Sequence, residues 1–383
     1  MFSLAILLLV HAQTDSFLDA GLAVGGFALA GAVMGPPLGA LVDRVGQTPV
    51  LVRAAVGQAA LLVALVVVTH ARAPVAAIVA TAALAGAAQP PIAGCIRALW
   101  SELASDGETL ETAYALDATT QELIWTLGPL LVGLTAGLLS PSTAVLLCAA
   151  ITVGGTTLFA TSTLSSGWKT DDRERERGGA LASAGMRALL ATVVLAGVVI
   201  GAVEVGLPAF AVEHGSRWSS GPLLALFSVG SMVGGLLYSA KRWKLSPGRR
   251  YIAMLLAMTI TVAPLIVAPS LAVGFLLSVV AGLGIAPMLS SQFSLVGALA
   301  SAGTTTEAFA WQRAATIAGM AAGSTLGGSL VDSNGAKAAF ALGCATVALA
   351  AVLATVWHGR IDPQLAVASE TVLSSPAGEP AAL

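Results

Sequence analysis

Charge is scarce in this sequence. Asp, Glu, Lys and Arg make up 10% of its 383 residues, against roughly a quarter in ordinary soluble domains, which excludes a water-soluble globule. Cysteine is scarcer still. Cys95, Cys148 and Cys344 are the whole set; each sits inside an apolar run, far from the others and without C-x-x-C or Cys/His spacing. No disulfide framework or metal site is written in that pattern, and the three read as small core residues. Neither sign of charge is in excess: the formal net charge is -2, so no global basic character points to nucleic acid. No H-E-x-x-H, G-x-S-x-G or Walker pattern occurs. The stretches between apolar runs are too short for a nucleotide-binding domain, so hydrolysis or ATP-driven work has no visible machinery.

Apolar length is what the chain has. Its residues are 56% hydrophobic with mean hydropathy +0.88, enough for about twelve spans of roughly 20 residues. The opening MFSLAILLLVHA lacks the basic start and small-residue cleavage site of a signal peptide and reads as part of a first span. A helix over it rises only about 18 Å, short of a roughly 30 Å hydrocarbon core. The expectation is a truncated first helix, with the natural start about 10 to 25 residues upstream. Further spans are predicted at Asp19–Leu41, Thr48–His70, Pro74–Ala98, Thr112–Leu139 and Ser142–Leu164. After the charged stretch WKTDDRERERGG the rhythm resumes at Met186–Ala211, Gly221–Ala240, Tyr251–Ala268, Leu271–Leu299, Ala308–Leu330 and Ala336–Trp357.

The expected fold is therefore all-α and membrane-integral, with twelve transmembrane helices in two pseudo-symmetric six-helix bundles. Residues 1–164 form the first bundle, 165–185 a cytoplasmic linker, 186–357 the second bundle and 358–383 a disordered tail. If the first span leaves the cytoplasm, the inner segments collect Arg44, Arg53, Arg97, the linker basics, Lys241, Arg242, Lys244, Arg249, Arg250 and Arg360. Only Arg72, Arg217 and Lys337 remain outside. The positive-inside rule then puts both termini in the cytoplasm.

The halves repeat. Ala85, Gly86 and Pro91 recur as Ala281, Gly282 and Pro287, an offset of 196. Gly128 and Gly133 fall on Gly323 and Gly328, and Gly31 and Gly35 match Gly230 and Gly234 at a slightly larger offset. Two such halves imply a pseudo-two-fold axis and a substrate site near the bilayer midplane, worked by rocking.

Between the second and third spans stands Gly35-Pro-Pro-Leu-Gly39-Ala-Leu-Val-Asp43-Arg44-Val-Gly46. This resembles the G-x-x-x-D-R-x-G loop motif of the major facilitator superfamily, with Gln47 and Thr48 where that family carries a basic pair. The resemblance implies that Gly39 permits close helix packing. It also implies that Asp43 caps the cytoplasmic end of the eleventh span and pairs with basic residues, with Arg313, about two turns into that span, the candidate partner. Leu127-Gly128-Pro129-Leu-Leu-Val-Gly133 resembles part of the antiporter motif of the family's drug/proton exchangers. The fourth-span arginine of those exporters is absent, its place taken by the Ala/Leu/Gly stretch from Ala82 to Gly86.

Ionisable groups within the spans are few, and each needs a partner, water or a function, because insertion costs about 2.5–3.5 kcal/mol. Glu122 lies about 5 Å to the cytoplasmic side of its span's centre and Glu204 about 8 Å to the outer side; both stand where a carrier could protonate them in alternation, and Arg313 is the pairing candidate for Glu122 if that carboxyl is structural. Gln121, Glu122 and Trp125 share one helical turn, and Gly128 and Pro129 follow on the same face. Gln89, Gln292 and Thr316 are further candidates for a cavity lining, whereas Asp117 and Glu307 sit near the inner interface and read as solvated or capping residues. So mild a lining points to a hydrophobic or weakly polar substrate, since an organic anion calls for a buried cation.

The resemblance implies a secondary active transporter rather than an enzyme, working by alternating access without a cofactor and energised by the proton gradient. The antiporter-like glycines lean toward efflux of a small hydrophobic or drug-like molecule. Proton-coupled uptake of a small metabolite such as a nucleoside is the alternative, and a transport-inactive receptor or membrane enzyme a remote one. The expected setting is a bacterial inner membrane, with a monomeric, multi-pass chain whose partners are its substrate, protons and lipid, not nucleic acid.

Overall fold

Among the described residues every regular element is helical, as apolar runs without water to satisfy their backbones require. The computed structural model describes residues 1–104, 106–168, 179–216 and 219–362. In chain order the first elements are α1 (Phe2–Thr14), α2 (Phe17–Val45), α3 (Gln47–His70), α4 (Val75–Ala87), α5 (Ile92–Leu103), α6 (Gly107–Leu138), α7 (Pro141–Ala160) and α8 (Thr163–Gly167). They are followed by α9 (Ala184–Glu213), α10 (Ser220–Ser239), α11 (Pro247–Val262), α12 (Leu271–Gly282), α13 (Ile285–Leu299), α14 (Thr305–Asn334), α15 (Ala336–Val356) and α16 (His358–Ile361). Among the described residues ten helical stretches are long and apolar enough to cross a membrane, and α1 is a shorter apolar helix. With α6, which carries four acidic residues from Glu108 to Glu122, they make the twelve spans of the predicted fold. The charged linker residues 169–178 and the tail 363–383 lie outside the described residues, as do Arg217 and Trp218.

Two predicted spans are each broken into a pair of helices. The fourth divides at Pro90 and Pro91 into α4 and α5, because consecutive prolines remove two backbone donors and clash with the preceding turn. The tenth divides at Leu283 and Gly284 into α12 and α13. The breaks fall at corresponding places in the two halves. Helix starts are set by side-chain caps: Ser16, Asp106, Ser140, Ser183 and Ser270 each accept a bond from the backbone N–H three residues on. Between α2 and α3 the chain turns at Gly46 with φ 97°, a conformation that disfavours any side chain.

The contacts divide the chain into two compact units. Unit 1 comprises Met1–Ala180 together with Ser301–Ala318, and unit 2 comprises Leu181–Ala300 together with residues from Gly319 onward. In unit 1, α2 packs on α4, α3 on α7, and α1 on both α2 and α7. Ile6, Leu9, Phe27, Leu62, Leu65, Ile78, Val145 and Cys148 fill its core, and a smaller cluster of Val42, Val50, Leu51, Cys95 and Ala160 sits beside the α2–α3 turn. In unit 2, α9 packs along α15 and α10 along α12. Gly201, Gly319 and Gly323 each abut a neighbouring backbone carbonyl so closely that no Cβ would fit, the small-residue approach by which helices associate in lipid.

Candidate functional site

The motif between α2 and α3 is built around one carboxylate. Asp43, 1% exposed, accepts the backbone N–H of Thr306 on Oδ1 at 3.1 Å and that of Glu307 on Oδ2 at 2.9 Å. These are first-turn donors of α14 that no residue of that helix satisfies, and the negative charge meets the positive end of the helix dipole. Gly39, one turn earlier, makes this approach possible: a Cβ there would stand 2.9 Å from the Thr306 carbonyl oxygen and 3.0 Å from the Glu307 nitrogen. Arg44 is exposed and Gly46 makes the turn. Arg313 does not pair with Asp43. It lies about two turns along α14, and among the described residues it forms no ion pair or hydrogen bond.

Arg313 instead lines a cavity of about 310 Å³ inside unit 1. Gly31 and Gly35 of α2, Gln89 and Pro91 at the helix break, Arg97 of α5, Trp125 of α6, and Phe309 and Arg313 of α14 all contribute to its wall. Arg97, six residues past Pro91 on α5, is 3% exposed and lines the cavity. Its Nε donates to Asp117 Oδ2 at 2.7 Å, and its guanidinium lies 5.7 Å from the centre of the Phe309 ring. The Tyr114 ring meets Phe309 at 5.9 Å between centroids, tilted by 57°, and its hydroxyl bonds Ser101 at 2.7 Å. Gln89 lies against Gly31, where its Oε1 would be 3.3 Å from an added Cβ.

The structure thus brings Gly35, Gln89, Trp125 and Arg313 of the predicted site into one space. Others stand apart. Gln121 does not line the cavity and holds its buried Nε2 without a partner among the described residues. Thr316 is engaged within its own helix, donating to the Gln312 carbonyl at 3.0 Å. Gln292 belongs to unit 2 and is buried in its core at 1% exposure, within bonding reach of Tyr251, whose hydroxyl also meets Thr192 at 3.0 Å. Glu204, also in unit 2, is exposed on α9. The side chain of Glu122 lies outside the described residues. Gly128 approaches Met1, Gly133 has open space beside it, and Pro129 sits inside α6 without ending it.

Asp117 is a correction. It is neither solvated nor a cap but the counter-ion of Arg97, because α5 and α6 pack side by side at that level. Arg97, Phe27 and Phe309 are the wall residues that sequence reasoning passed over. A basic residue just past the two prolines was the available signal. Among the described residues no three His, Cys, Asp or Glu side chains are grouped to hold a metal ion.

Twelve helical spans, a repeat with matched helix breaks and a cavity roofed by polar side chains define a polytopic membrane carrier. The chain belongs to the Major Facilitator Superfamily, whose family model matches residues 1–271. It is a multi-pass integral membrane transporter of a small molecule, not an enzyme. The comparison with curated proteins finds no match. Among solved structures the fold is similar to the human organic anion transporter MFSD10 (TETRAN), with TM-score 0.69 and 19% identity over 88% of this chain and 83% of that one. A bacterial homologue of the iron transporter ferroportin in its outward-facing state gives TM-score 0.72 at 16% identity over 94% and 98% of the two chains. The E. coli fucose:proton symporter FucP gives 0.71 at 15% over 93% and 96%. At these identities the likeness is one of fold.

Proposed function

We propose that this protein is a proton-coupled secondary transporter that exports a small molecule with a hydrophobic body by alternating access, binding it in the unit 1 cavity. The observation that carries the reading is the Asp43 cap on α14 beside that cavity. A contact made to backbone N–H groups across separate helices holds one end of the site closed and is released without covalent chemistry, which is what a two-state carrier needs. The aromatic walls, Phe27, Trp125 and Phe309, suit a hydrophobic body. Glu204, exposed on α9 with no hydrogen bond among the described residues, is the proposed proton-coupling carboxyl. No cofactor enters the cycle, and the proton gradient supplies the energy. The basic residues on the expected inner side favour a bacterial inner membrane with both termini in the cytoplasm, and the chain is taken to act as a monomer. Uptake in symport with protons, as the name of the fucose:proton symporter records for that neighbour, would use the same cavity with the opposite sign of accumulation.

The test is accumulation of lipophilic dyes and antibiotics in overexpressing cells, with and without an uncoupler. The expected result is lower accumulation that both the uncoupler and Glu204→Gln erase. Accumulation that rises with expression and falls with the uncoupler would reverse the direction to uptake.

A further inference from the structure

Among the described residues, the charges of the unit 1 cavity do not balance. Arg97, buried, and Asp117, partly buried, form an ion pair at 2.7 Å and neutralise one another. Arg313 is a second guanidinium on the same wall. It is exposed to the space rather than packed into the core, and among the described residues it makes no hydrogen bond or ion pair. A cation in a transmembrane helix is expensive unless a counter-charge meets it, and a guanidinium offers a planar fork of donors matched to a carboxylate. Gln89, also on the wall, has a side-chain amide with no hydrogen bond among the described residues. Phe27, Trp125 and Phe309 supply the apolar remainder.

We propose that the missing counter-charge is the substrate's own: the cavity takes a small organic acid, with its carboxylate on Arg313, its second polar contact at Gln89 and its apolar body against the aromatic walls. This rests on the reading of the cavity as the transport site and makes the substrate an organic anion rather than a neutral or cationic lipophile. The expectation of a hydrophobic or weakly polar substrate rests on a lining without a buried cation, whereas Arg97 and Arg313 both line the cavity.

The experiment is equilibrium binding to the purified full chain in detergent, using benzoate, 2-naphthoate and indole-3-acetate, each paired with its neutral amide. Wild type is expected to prefer the acid in at least one pair by roughly tenfold. Arg313→Gln removes that preference by weakening acid binding more than amide binding, and Arg313→Lys retains part of it. Equal binding of acid and amide in every pair, or a preference that survives Arg313→Gln, overturns the proposal. So does a preference that appears only in Glu122→Gln, since the guanidinium would then already be neutralised. Counterflow of the same compounds in liposomes separates the two readings. Acid binding without counterflow keeps the anion site and removes the transporter assignment of the cavity, whereas counterflow of amides but not acids does the reverse.

Discussion

The seam between α2 and α4 and the seam between α10 and α12 are two copies of one design that have diverged at one end. At the shared end they agree: a Cβ on Gly86 would strike the Phe27 carbonyl, and one on Gly282 would strike the Phe227 carbonyl. Farther along, the second copy stays shut, with Gly230 and Gly234 pressed against the carbonyls of Val279 and Leu283. In the first copy Gly31 keeps 3.2 Å from the Gly86 oxygen and Gly35 has nothing within 4 Å. The cavity opens there. The side chains diverge in the same sense. At the 196-residue offset Gln89 corresponds to Ile285 and Arg97 to Phe293, both buried apolar residues of unit 2. A repeat fixes where helices break and where backbones touch; the polar site is what the first half has added to it.

The comparison can be broken most forcefully at Arg97. Arg97→Met should destabilise the protein by about 3–5 kcal/mol, because it strands Asp117 in a partly buried place. Arg97→Met with Asp117→Leu should recover most of that loss, read as the melting temperature in detergent. Recovery would show that the ion pair is dispensable for folding, as its apolar counterpart in unit 2 implies. Next in size, Gly230→Ala and Gly234→Ala should each lose about 1–3 kcal/mol through overpacking. Gly35→Ala should melt like wild type, and equal losses in both halves would erase the divergence described above.

Much of this architecture was legible before any coordinates. Span positions follow from runs of apolar residues, and the offset between Gly86 and Gly282 exposes the repeat, because a glycine needed for backbone contact is needed twice. The Gly39–Asp43 arrangement could be anticipated from a motif. The wall of the cavity could not. Arg97 falls at the cytoplasmic end of a span expected to stop at Ala98, whereas α5 runs on to Leu103 and packs Arg97 against Asp117 of α6. Gln292 is polar and mid-span like Gln89, yet its face of α13 meets Tyr251, a choice made by neighbouring helices that no single-helix pattern records.

Smaller effects sharpen the comparison further. Asp43→Asn should cost about 1–2 kcal/mol, because the charge at the helix N-terminus is lost and the amide leaves one of the two buried N–H groups without an acceptor, but should slow transport far more than it lowers stability. Gln89→Ile, which installs the unit 2 residue, should shift stability by no more than about 0.5 kcal/mol while weakening substrate binding in the assay above. Intact binding in that variant would remove Gln89 from the site.

The Asp43 cap joins residues 263 positions apart in the chain. At about 5–20 residues per second, roughly 13–50 s pass between synthesis of the carboxylate and arrival of the N–H groups it serves. Throughout that interval the first unit also lacks Phe309 and Arg313, so its cavity has a missing wall. Until the eleventh span has been inserted, the nascent first unit therefore has neither its cap nor a complete cavity wall, and the order of synthesis makes this wall the last part of the unit to be finished.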